Sequence, residues 1–131
     1  MPQAANNNSG PWEKLEKYCR TLLSHGKELY IYASGYGSQG TIDNDHVTIP
    51  SHTWKVIMVL DDGDNDLKRV SKSTRLVAID MPNNDDQISR TDDWKNYRTC
   101  VDSIEARTGF DFFSNVPVSI QAAIESVPDS L

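Results

Sequence analysis

The stretch Asn8-Ser9-Gly10-Pro11-Trp12-Glu13-Lys14-Leu15-Glu16-Lys17-Tyr18-Cys19-Arg20 carries most of what can be read about this chain. Pro11 suits the first turn of a helix, where its missing N–H costs nothing, and Ser9 or Gly10 stands near the cap. Trp12, Leu15, Cys19, Leu22 and Leu23 follow at spacings near three and four, which predicts one apolar stripe facing a core. Gly26 should end the helix, with His25 and Lys27 at the negative end of its dipole. Asn8 precedes the helix, and Glu16 and Arg20, four residues apart, share a face. An amide oxygen, a carboxylate and a guanidinium thus lie along one side of a helix start. Such groups suit phosphodiester hydrolysis. A hard divalent cation takes oxygen ligands and keeps several waters. An Asn oxygen holds it without cancelling its charge, a carboxylate behind it orients a bound water, and a guanidinium steadies that carboxylate or the phosphate. The same residues also have a plainer reading. Asn near a helix start commonly caps it, and Glu–Arg at i, i+4 is commonly a surface ion pair. Spacing alone leaves both readings open.

Working outward, Glu28–Ser34 reads as a strand, broken by Gly35, Gly37 and Gly40 into a flexible loop. Residues 1–10 read as polar, with Asn6–Gly10 a loop. Val47–Ile49 is a short extended piece stopped by Pro50. Thr53–Leu60 is the strongest strand, Asp61–Asp66 a turn, and Thr74–Ile79 a further strand closed by Pro82. Asp92 is expected to cap a short helix through Trp94 and Tyr97. Val101–Thr108 reads as a helix ending at Gly109, and Pro117–Ser126 as a last one. Strands and helices do not alternate as βαβα, so the expected class is α+β with a mostly antiparallel sheet. The 131 residues fit a single domain, 1–131.

The net charge of −6 argues against a passive nucleic-acid binder, whose phosphate contacts need Lys and Arg. The acid is concentrated in Asp61–Asp66 and Asp85–Asp93, whereas residues 12–30 are nearly balanced. A metal nuclease tolerates such acidity better, because its cation meets the phosphate directly. Cys19 and Cys100 are expected as free thiols. The longest apolar run, Val56–Leu60, is far short of the ~20 residues that span a bilayer, so no membrane partner is expected. Met1–Asn6 has neither the charge nor the apolar run of a signal peptide. His25, His46 and His52 are expected at the surface or at helix and strand ends. Tyr18, Tyr30, Tyr32 and Trp54 could stack on bases, but core positions are expected for them. The Gly-x-Gly spacing in Gly35–Gly40 opens no helix and is not a nucleotide-binding loop.

The pattern Met1-Pro2-Gln3, then Asn8, Trp12, Glu16 and Arg20, resembles the metal-binding helix of the DNA/RNA non-specific endonucleases. The similarity continues through Gly26–Ile31, Val47-Thr48-Ile49-Pro50 with Thr53-Trp54-Lys55-Val56, Val77–Asn83, Val101–Glu105 and Thr108-Gly109-Phe110-Asp111-Phe112. It covers nearly the whole chain. The resemblance implies a ββα-metal (His-Me finger) nuclease fold, its sheet flanked by helices. It implies Mg²⁺ or Mn²⁺ held directly by Asn8, with Glu16 behind it and Arg20 supporting Glu16 and the phosphate. DNA and RNA would be substrates, cut to 5′-phosphate products, and a homodimer is compatible with the family. Secretion or the periplasm is the compartment it favours. One departure matters. The family's general base is a His in an Asp-Arg-Gly-His motif upstream of the metal helix, and that motif is absent here. The expectation is therefore a fold incomplete at its N-terminus, whose isolated chain is inactive and needs the missing part of the domain as partner. The alternative is a catalytically inactive nucleic-acid-binding fragment. A smaller departure is Cys100, at a helix-start position where the family often has Ser.

Overall fold

The computed structural model describes residues 1–131. Its centre is an antiparallel sheet of four strands in the order β1 (Lys27–Tyr36), β4 (His52–Asp61), β5 (Arg75–Pro82), β6 (Arg98–Thr99). Ile31 pairs with Ile57, Ile57 with Val77, and Ile79 with Arg98. Strand β4 is buried from Thr53 to Leu60, which is why its second half, Val56–Leu60, reads as a continuous apolar run rather than an alternation.

Successive side chains of a strand point to opposite faces, so β4 and β5 each serve two cores. On one face, Ile57, Val59, Val77, Ile79 and Met81 pack under helix α2 (Pro11–Ser24), which contributes Trp12, Leu15 and Cys19. On the other, Trp54, Val56, Met58, Leu60, Leu76 and Ala78 pack under α4 (Val101–Thr108) and α5 (Val118–Ile124). These contribute Val101, Ile104 and Ile124, with Phe112 and Val116 between the helices. The expected α+β class, antiparallel sheet and flanking helices are what the chain adopts.

Four local expectations need correction. Residues Ala5–Asn8 are not loop but a one-turn helix, α1, followed at once by α2. Strand β1 does not break at Gly35 but runs through it to Tyr36. A Cβ at Gly35 would lie 2.6 Å from the Pro50 ring, so glycine here permits close strand packing, not flexibility. The segment beyond is a hairpin of β2 (Gly40–Ile42) and β3 (Val47–Ile49), turned by Asp43, Asn44 and Asp45 in the left-handed conformation. The turn Trp94–Tyr97 is capped by Asp93, which accepts from the Lys95 N–H at 3.0 Å. Asp92 is committed elsewhere, accepting from the Tyr97 hydroxyl at 2.6 Å and the Ser89 N–H at 2.9 Å. A short helix, α3 (Asp66–Arg69), and strand β6 carry too few residues to show a period, and sequence reading passes over both.

Tyr30 and Tyr32 also depart from expectation. They are 40% and 45% exposed on β1, an edge strand, and line an open apolar cavity of about 460 Å³ with Leu67, Val70, Phe110 and Phe113. Trp54 is buried as expected, and Tyr18 packs on Trp94 with ring centres 5.2 Å apart. Both cysteines are free, and no helix is long and apolar enough to cross a membrane.

Candidate active site

Three consecutive asparagines enter α2, and the fold uses each differently. Asn6 ties α1 to the acidic loop. Its N–H donates to Asp85 at 2.9 Å, its amide to the Ile88 carbonyl at 3.2 Å, and its oxygen accepts from Arg90 at 3.2 Å. Asn7 is fully buried against the sheet. Its amide donates to Thr53 Oγ1 at 2.9 Å and to the Pro82 carbonyl at 3.2 Å, and its oxygen accepts from Gln3 at 2.8 Å. Asn8 is exposed, its backbone N–H is bonded to the Ala4 carbonyl at 2.9 Å, and its side chain makes no hydrogen bond. Its amide oxygen therefore remains available to a ligand.

The elbow that presents Asn8 is held from below. Buried Asn83 donates to the carbonyls of Pro2 at 3.0 Å and Pro50 at 2.9 Å, and accepts from the Ala4 N–H at 2.7 Å. Gly10, the cap of α2, closes it from the side. A Cβ there would lie 2.3 Å from the Asn6 carbonyl oxygen and 2.8 Å from the Arg90 Cα, so only glycine permits the turn.

Glu16 is half-buried and Arg20 exposed on α2, about 6 Å apart along the axis. They form no ion pair with each other. The i, i+4 pair on this helix is Glu13–Lys17, at 3.6 Å. The bland reading of Glu16 and Arg20 as a surface salt bridge thus fails, and both heads are free for another partner.

Sequence reading missed Lys55. It is buried, with its ammonium 4.2 Å from the centre of the Trp12 ring. Burial pulls its pKa below the usual lysine value, and the charge of Glu16 only partly offsets that. Burial also pushes the Cys19 thiol up, against the pull of Lys55. Lys55 shares the sheet side of α2 with Arg75, which donates to the Tyr18 hydroxyl at 2.7 Å, and Glu16 is the largest charge acting on Lys55. The signal for it was a lone lysine inside the apolar run Thr53–Leu60.

The histidines stay apart from this elbow. His25 closes α2 at the end opposite Asn8. His46 ends the β2–β3 turn, 3.9 Å from Asp43. His52 stacks on Tyr36 at 4.8 Å, on the face that carries α4 and α5. None is hydrogen-bonded to α1, and none occupies the position of a base beside Asn8. On that same far face, Asp102, Glu105 and Glu125 bring three carboxylates together.

Known proteins resemble this chain in fold and sequence. A chain in the crystal structure of the EndoG/EndoGI complex superposes with a TM-score of 0.59 at 20% identity, over 82% of this chain and 45% of that one. The likeness assigns the fold, that of the ββα-metal nucleases. A nuclease from Nostoc sp. is 45% identical over 130 residues, covering 99% of this chain and 46% of its own length. A nuclease from Serratia marcescens is 28% identical, with 99% and 47% covered, and the human mitochondrial nuclease EXOG is 28% identical, with 88% and 33% covered. The chain thus spans half or less of the length of these curated relatives. The profile of the DNA/RNA non-specific endonucleases matches residues 1–119, and with the Nostoc relative it shows that the chain belongs to that family.

Proposed function

We propose that these residues form the metal-binding half of a metal-dependent endonuclease that cuts both DNA and RNA. The observation that carries the reading is the division of labour among the asparagines. Asn6 and Asn7 are consumed by structural bonds, while Asn8 is held on a rigid elbow with its oxygen free. A hard cation such as Mg²⁺ or Mn²⁺ fits one neutral oxygen ligand, with water completing its shell. Asn8 would hold that ion, which when bound supplies charge to stabilise a phosphate oxygen and the leaving oxygen. Glu16, unpaired on α2, would accept a hydrogen bond from a water of the ion's shell and so fix its direction. Arg20 would donate to a phosphate oxygen as negative charge builds there. A general base is proposed to come from outside residues 1–131, because no histidine of this chain lies beside Asn8. Without one, the rate should fall by ~10²–10⁴, which leaves the isolated chain essentially inactive.

The test is a chimera. The part of the Nostoc nuclease outside its match is joined to residues 1–131, and nicking of supercoiled plasmid and cleavage of RNA are followed with and without Mg²⁺. The expected result is Mg²⁺-dependent cleavage of both, strongly reduced in Asn8→Ala. A folded chimera that binds nucleic acid without cutting it would establish the inactive binding fragment instead. Robust cleavage by residues 1–131 alone would remove the need for an outside base.

A further inference from the structure

The sheet face opposite Asn8 carries a second group of oxygen ligands, and nothing in the nuclease reading uses it. Asp102 and Glu105 lie one turn apart on α4, and Glu125 ends α5. Each offers a carboxylate oxygen, and the three oxygens lie within 4.8 Å of one another. Their exposures are graded, with Asp102 exposed, Glu105 half-buried and Glu125 only 4% exposed.

Glu125 is the informative member. Its Oε1 is buried and has no hydrogen-bond partner. A buried, unpaired carboxylate is among the costlier groups a fold can carry. Here its neighbours add to the cost, because Glu105, Asp102 and Asp111 all act on it with the same sign. The nearest basic residue on α4, Arg107, is already spent on Asp80. The backbone nevertheless holds the group in place. The Asp102 N–H donates to the Glu125 carbonyl at 2.9 Å, the Glu125 N–H to Gln121 at 2.9 Å, and Glu105 Oε2 accepts from the Phe112 N–H at 2.8 Å. Three carboxylates are thus fixed toward one point with no cation of the chain beside them.

We propose that Asp102, Glu105 and Glu125 bind a calcium ion that clamps α4 to the end of α5. One proton would neutralise only Glu125 and leave the other two charges facing each other, whereas a divalent ion satisfies all three. The ligand set favours Ca²⁺ over Mg²⁺, because Ca²⁺ takes several carboxylates in a flexible shell, whereas Mg²⁺ demands a strict octahedron, keeps several waters and is held by one or two carboxylates. Water reaches the remaining positions from the Asp102 side. The site is independent of the nuclease reading and survives its failure.

The test is calorimetric titration of the 131-residue chain with CaCl₂, together with thermal melts in CaCl₂ and in NaCl of equal ionic strength. One ion should bind per chain, and saturating Ca²⁺ should raise Tm by roughly 5–10 °C beyond the NaCl control. Glu125→Gln should fold and lose the response. Asp102→Asn, at an exposed position, should weaken binding at least ~10-fold. Asn8→Ala should keep the full response, which separates this site from the one on α1. No binding heat and no shift beyond NaCl, or a full response in both Glu125→Gln and Asp102→Asn, would overturn the proposal. A response lost in Asn8→Ala would overturn it as well.

Discussion

The two faces of the sheet treat polar groups in opposite ways. Beneath α2, the buried amides near the elbow are satisfied. Asn7 bonds Thr53, Pro82 and Gln3, Asn83 bonds Pro2, Pro50 and Ala4, and Lys55 lies on the Trp12 ring. What remains free there, Asn8, Glu16 and Arg20, is free in contact with water. Beneath α4 and α5 the reverse holds. The three buried side-chain atoms without a partner, Trp54 Nε1, Asp80 Oδ1 and Glu125 Oε1, all belong to that face. An unbonded polar group in water costs little, while the same group buried costs roughly 1–3 kcal/mol. The first face is therefore finished as a scaffold and open as a site. The second awaits something, and the calcium clamp is our account of it at Glu125.

The contrast can be broken first at the asparagines. In the chimera, Asn8→Ala should lower the cleavage rate at least ~10²-fold while leaving the melting temperature nearly unchanged. Asn7→Ala should do the opposite to stability, costing about 2–3 kcal/mol, because it strands Thr53, the Pro82 carbonyl and Gln3. Urea denaturation of both variants checks the pair. Equal destabilisation by the two would mean that Asn8 is structural after all.

Lys55 sharpens the same comparison by pH. Its folded-state pKa lies below the unfolded value of 10.5, so the unfolded chain binds the proton more tightly. Its contribution should therefore be most favourable above pH 10.5 and should be lost as pH falls through the lowered value. Lys55→Met should flatten that alkaline dependence and be neutral or stabilising by about 1 kcal/mol at pH 7. A variant with unchanged pH dependence of stability would show that Lys55 titrates normally.

The smallest effect lies on the far face. Cys100 caps α4 without a side-chain hydrogen bond, so Cys100→Ser should add about 0.5–1 kcal/mol. A thermal melt shifted down instead would mean that the thiol's packing outweighs the missing cap.

What was legible in the sequence is what short-range chemistry decides. Helix α2 was readable because Pro11, the stripe from Trp12 to Leu23 and Gly26 all lie within one window. Val101–Thr108 was readable for the same reason, since its period ends at a glycine. Strand β4 announced itself by an unbroken apolar run. The candidates Asn8, Glu16 and Arg20, eight and four residues apart, were proposed from a local pattern with Trp12 between the first two, and the family resemblance singled them out among other asparagines and acids.

What only the tertiary structure decided depends on contacts between distant residues. No local rule tells Asn7 from Asn8. The difference is that Thr53 and Pro82 arrive beneath one and not the other. Lys55 is a buried cation only because α2 lays Trp12 across it. Glu125 meets Asp102 and Glu105 only because α5 ends against the start of α4. Periodicity along the chain determines which face of a helix is apolar. Packing between elements determines which polar groups on the remaining faces are bonded, and therefore that Asn8 is the asparagine left free.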